Sequence, residues 1–93
     1  MRLPMWARSS DQLRVKYLMS LAALEVSQEG RLSDLAEAAG IKYPTLLWNV
    51  QNNVSATVAE AICKVAPGVG IKPHWLTNPA WMKVNEQTGE VSE

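Results

Sequence analysis

Gln51, Thr45 and Lys42 are the side chains whose types and spacing best suit the edges of base pairs. A glutamine carboxamide can pair with an adenine edge, a lysine can reach a guanine or a phosphate, and a threonine can meet a thymine methyl. Arg31 and Ser33, beside the free amides of a helix start, suit a phosphate. Nothing comparable exists for catalysis. His74 stands between Pro73 and Trp75 without a partner, and the sequence holds no Cys-His, Ser-His-Asp, paired-carboxylate or glycine-rich phosphate-loop arrangement. It therefore reads as non-enzymatic, with no cofactor and no metal site. The single cysteine, Cys63, excludes an internal disulfide and reads as a small buried hydrophobe on a helix.

Those contacts need a scaffold. The run LSDLAEAAGIKYPTLLWNVQ, Leu32 to Gln51, predicts two short helices joined by a tight turn. Ser33 is the expected N-cap, and Asp34 suits the positive end of the helix dipole. Leu35, Ala36 and Ala39 make an apolar stripe, and Gly40 stands where a helix ends in the left-handed conformation. Ile41 plugs the turn, Pro44 fits the first turn of the second helix, and Leu46 and Val50 point back at the first. These spacings predict a helix-turn-helix. At about 100° per residue, Tyr43, Leu46, Leu47 and Val50 share one arc, expected to be largely buried. Tyr43 opens that arc, so its hydroxyl can still reach a phosphate. Pro44, Thr45, Trp48, Gln51 and Asn52 share the opposite, outward arc. Trp48 has three readings: against sugar and methyl groups in a groove, folded back on Ser55 to Val58, or, with Leu47, part of a protein-binding surface.

This stretch resembles the small phage and prophage regulators of the Cro and repressor type, with their HigA-like and YdaS-like antitoxin relatives. Ala36, Gly40, Ile41, Leu46 and Val50 match that motif's packing positions, and NVSATVAEAICKVAPGVGIKPHWL is similar to the family's next helix and closing turn-helix. The resemblance runs from Leu32 to Pro79. It departs at Asn49, where the family is usually apolar or small, and at Leu47 and Trp48, where it is usually polar or basic. It implies an all-α, lambda-repressor-like bundle of about five helices. It implies a sequence-specific regulator that binds double-stranded DNA in the major groove, as a homodimer on a two-half-site operator. Its DNA-binding residues would be Arg31, Ser33, Lys42, Tyr43, Thr45, Trp48, Gln51 and Asn52. The alternative is a helix-turn-helix adapted to bind another protein, such as a toxin (as an antitoxin does) or a component of the transcription machinery.

Ninety-three residues, 47% of them hydrophobic, make one small domain in which every helix must serve one core. No run is long enough to span a bilayer and no signal-peptide stretch opens the chain, so a cytoplasmic protein is expected. Nine basic and nine acidic residues balance, which implies a shallow electrostatic attraction to phosphates. Residues 1–9, interrupted by Pro4, read as an arm that docks Met5 and Trp6. Residues 10–82 read as the helix-turn-helix domain, and 83–93 as a polar, flexible tail, with a hairpin about Thr88-Gly89 as the other reading.

Within that domain the first helix should run from near Ser10 to about Glu29. Leu13, Tyr17, Leu21 and Leu24 form its expected core stripe, and Val15, Leu18, Met19, Ala22 and Val26 a second apolar arc. A helix apolar on two sides needs two things to pack against: the arm, or a second subunit. Beyond the motif, Ser55 should cap a helix reaching Ala66, with Val58, Ile62 and Val65 inward, and Pro67-Gly68 should end it. A short last helix follows from Pro73. The expected core is Leu13, Tyr17, Leu21, Leu35, Leu46, Val50, Val58 and Ile62, with Trp75 and Trp81 as lids.

Overall fold

Helix α2 is the post around which the chain is built, and it packs against every other helix of the described residues. The structure is a computed structural model and describes residues 1–92. In order, its helices are α1 (Met5–Arg8), α2 (Asp11–Val26), α3 (Leu32–Ala39), α4 (Tyr43–Gln51), α5 (Ala56–Val65) and α6 (Pro73–Thr77). Single 3₁₀ turns lie at Pro67–Val69 and Pro79–Trp81, and strands β1 (Lys83–Val84) and β2 (Val91–Ser92) pair antiparallel. The architecture is mostly helical, as expected, with one more helix than the sequence suggested.

Ser10 starts α2: its hydroxyl accepts the Leu13 amide at 3.1 Å. The helix stops at Val26, three residues short of the expectation. Ser27 turns extended, keeps one bond to the Ala23 carbonyl and donates its hydroxyl to Asp34 Oδ2 at 2.8 Å. A serine can make that exchange because its side chain offers the backbone an alternative to helix.

The arc of α2 that faces inward is not the expected one. Val15, Leu18, Met19, Ala22 and Ala23 are buried, whereas Leu13, Tyr17 and Leu21 are only partly covered and Leu24 is 56% exposed. Both arcs repeat with helical period, so periodicity cannot rank them. The buried arc includes the small Ala22 and Ala23, which suit close helix packing, and the bulkier stripe is left further out. Leu35, Leu46, Val50, Val58 and Ile62 are buried as expected, and Leu3, Leu18, Met19 and Leu76 complete the centre.

The two ends of the chain are joined. Residues 1–9 are not a simple arm: Pro4 sits at the start of α1, where its missing amide hydrogen costs nothing, and Leu3 and Ala7 are fully buried. Met5 and Trp6, expected to dock, stay exposed, although Trp6 meets the Tyr17 ring edge-on at 5.7 Å. Of the segment read as a flexible tail, residues 83–92 take the hairpin form instead, and residue 93 lies outside the described residues. Leu3 donates its amide to the Gly89 carbonyl at 2.8 Å, and Val91 donates its own to the Met1 carbonyl at 2.9 Å. Arg8 supplies the anchor. Its guanidinium donates to the carbonyls of Leu3, Glu86, Gln87 and Thr88 at 2.9–3.2 Å. Arg14 adds bonds to the Pro79 and Arg8 carbonyls, at 3.3 and 3.1 Å. Trp75 is buried as a lid, but Trp81 is 66% exposed, because its neighbour Met82 takes the inward place.

Candidate nucleic-acid interface

The interface candidate is α4 together with the turn that launches it. α3 ends at Gly40, whose φ of 71° is a left-handed conformation that a side chain disfavours. There the Ile41 amide donates to the Ala36 carbonyl at 2.9 Å and the Gly40 amide to the Glu37 carbonyl at 3.2 Å, which satisfies carbonyls left over at the helix end. Lys42 takes the N-cap position of α4, and Pro44 lies in its first turn. Leu46 and Val50 then pin the helix to the core, both buried.

The outward arc is open along its whole length. Thr45, Trp48, Gln51 and Asn52 are all exposed, Trp48 by 58%. Tyr43 was expected in the buried arc but, as the first residue of the helix, is 45% exposed. Leu47 is partly covered. One side chain of the arc braces backbone, Asn52 Nδ2 donating to the Trp48 carbonyl at 3.0 Å, and from α2 Gln12 Nε2 donates to the Gln51 carbonyl. The Gln51 carboxamide is left to the solvent side.

At the start of α3 the expected roles shift by two residues. Arg31, not Ser33, is the N-cap, and no side chain caps this helix. Ser33 lies inside the first turn and is exposed, so its hydroxyl does not take the capping bond. Arg31 pairs with Glu29 at the surface, and any phosphate must compete with that carboxylate. Lys42 makes no ion pair among the described residues.

Gly30 and Leu32, on either side of Arg31, line one groove of about 410 Å³ with Leu47 and Gln51 of α4 and with Leu13 and Lys16 of α2. The start of α3 therefore lies beside the second half of α4. Asn52 and Asn53 lie on another depression, of about 320 Å³, with Asp11, Thr77, Asn78 and Trp81.

Asn49 is the residue whose role the sequence concealed. It is 6% exposed inside α4 and bonds on both sides, Nδ2 to the Thr45 carbonyl and Oδ1 to the Ser55 amide. The available signal was a polar residue at an apolar position six residues before a helix cap. Cys63 is half-buried, with its thiol donating to the Ile71 carbonyl at 3.3 Å, and burial raises its pKa. No cluster of three metal-ligating side chains occurs among the described residues, and no helix among them is long and apolar enough to cross a membrane. The chain matches no protein family, no curated protein and no solved structure.

Proposed function

We propose that this chain is a non-enzymatic, sequence-specific DNA-binding regulator of the Cro and repressor type, in which α3 and α4 act as a helix-turn-helix and α4 enters the major groove. The observation that carries the reading is the division of α4: Leu46 and Val50 are held in the core while Thr45, Trp48 and Gln51 stand free on the other side. A rigid helix presenting hydrogen-bonding side chains outward is what base readout requires. Lys42, Arg31 and Ser33 are the candidate phosphate contacts, with Tyr43 and Asn52 at the two ends of α4. Two copies would read two half-sites. Selection of binding sites from random duplexes tests the whole reading: one enriched palindrome supports it, and no enrichment removes it.

A second reading has its own observation. Trp48 and Tyr43 are large, aromatic and 58% and 45% exposed, and α4 carries no arginine or lysine of its own. Tyr and Trp are enriched among the residues that anchor protein interfaces. On that reading α4 binds a protein partner, and Trp48→Ala abolishes the complex while binding to duplex DNA is absent throughout.

A further inference from the structure

The depression of about 320 Å³ at the C-terminal end of α4 is rich in hydrogen-bond acceptors and poor in free donors. Of its carboxamides, Asn52 donates to the Trp48 carbonyl, Asn78 to the Thr77 hydroxyl and Gln12 to the Gln51 carbonyl. Their side-chain oxygens accept nothing among the described residues. Asp11 is exposed, and its carboxylate makes no ion pair or side-chain hydrogen bond among those residues. Arg8 and Arg14 share a neighbouring depression with it, yet donate to backbone carbonyls instead. No lysine or arginine lines the site, and the 66% exposed Trp81 does. There α4 also ends, with the negative end of its dipole.

We infer that this depression is a binding site for an arginine side chain presented by a polypeptide partner. A guanidinium is the group such a lining selects, because it carries only N–H donors and a permanent positive charge. Its planar fork can engage the Asp11 carboxylate while its face lies on the Trp81 ring, which attracts a cation. An ammonium is a point charge and cannot span acceptors that stand on α2, at the end of α4 and after α6. The floor suits the rest of the side chain. Val15, Val50, Val54 and Leu76, all buried, offer an apolar bed for the methylene stem. Free arginine fits less well, because no cation in the lining receives its α-carboxylate, and phosphate-bearing ligands are disfavoured for the same reason. Of the proposed DNA contacts the site includes Asn52 alone, and it holds neither Trp48 nor Tyr43, so it rests on neither reading of α4.

Proton–nitrogen correlation spectra of the full chain, titrated with N-acetyl-arginine methylamide, are the test. Saturable shifts are expected at the Trp81 indole and at the Asn52 and Asn78 carboxamides, the indole being identified by its loss in Trp81→Ala. For so small a ligand the dissociation constant should be on the order of a millimolar. The citrulline analogue keeps the shape and loses the charge, and should bind about tenfold more weakly. The lysine analogue should bind about threefold more weakly. Asp11→Asn and Trp81→Ala, both at exposed positions, should each weaken the arginine ligand about fivefold in a chain still folded by circular dichroism. Citrulline binding as tightly as arginine overturns the inference, and so does an arginine ligand that leaves the Trp81 indole unmoved. Maltose moving the same signals further would overturn it in favour of a neutral sugar. Free arginine binding more tightly than its blocked form would overturn the polypeptide source. Each outcome is read without DNA, so failure here leaves the reading of α4 untouched.

Discussion

Asn49 accepts the backbone amide of Ser55 on its side-chain oxygen at 2.9 Å, and so joins the middle of α4 to the first residue of the α5 cap. Ser55 in turn accepts the Val58 amide on its hydroxyl at 3.2 Å. In a capping box the third residue of a helix reaches back to the cap amide; here a residue of the preceding helix does that work. The link fixes α4, the helix with the open outer face, relative to the rest of the core. Asn49→Ala should cost about 1–3 kcal/mol, because it leaves a partly buried donor unsatisfied. Urea unfolding measures this, and a loss below about 0.5 kcal/mol would show that the bond to Ser55 is incidental.

Gly40 and Gly89 both have positive φ, 71° and 79°, but their surroundings differ. A Cβ at Gly40 meets nothing within 4 Å, so Gly40→Ala should cost only the conformational penalty, about 1–2 kcal/mol. A Cβ at Gly89 would collide with the Leu3 carbonyl and the Arg8 guanidinium. Gly89→Ala should therefore cost more than Gly40→Ala and open the contact between the chain ends. Equal losses in thermal denaturation would contradict this ordering.

Arg8→Ala removes the charged donor that gathers four carbonyls of the two chain ends. Hydrogen bonds to charged groups contribute about 1.5–3 kcal/mol each when well shielded, and solvent around the partly exposed Arg8 reduces their sum. A net loss of about 2 kcal/mol is expected. Hydrogen exchange should quicken at the Leu3 and Val91 amides while the α4 amides keep their protection. Arg8→Lys should recover little, since a single ammonium cannot span four acceptors.

On a selected operator, Gln51→Ala should cost about 1–3 kcal/mol and relax preference at one base pair. Arg31→Ala should weaken all duplexes alike and lower the salt slope by about one. Because Arg31 is held by Glu29, Glu29→Gln should free it and strengthen non-specific binding. Fluorescence anisotropy across a salt series separates the three outcomes. Full affinity in both the Gln51 and Arg31 variants would turn the reading toward a protein partner at Trp48.

Burial holds the Cys63 thiol above its ordinary pKa, so the native state keeps this proton to higher pH than the unfolded chain. Its contribution to stability is therefore full below the unfolded pKa and declines as pH rises through the folded value. The urea midpoint should fall between about pH 8 and about pH 10 by more than in Cys63→Ser, where no thiol titrates. An identical fall in both proteins would assign the change to other groups. Alkylation of Cys63 near pH 8 should be slower in the folded chain than in urea, since the thiolate is the reactive form.

Local chemistry in the sequence was enough to locate most helix ends. Ser55 carries its hydroxyl one turn before an apolar stripe, Gly40 stands where a left-handed residue is needed, and Pro44 and Pro73 fit first helical turns; at α2 the capping-box spacing of Ser9 and Gln12 pointed one residue early, since Ser10 is the cap. Each of these rests on neighbours within a few residues, and so did the outward placement of Thr45, Trp48 and Gln51. What depended on distant residues had to wait for the tertiary structure. The two arcs of α2 have the same period, and only the packing of the other helices around α2 decided which went inside. Asn49 read as a misfit until Ser55 was seen to meet it. The end of the chain read as polar and loose because its anchor, Arg8, lies about eighty residues earlier. Propensity and spacing act along the chain, whereas burial and the pairing of backbone amides depend on which segments fold against each other.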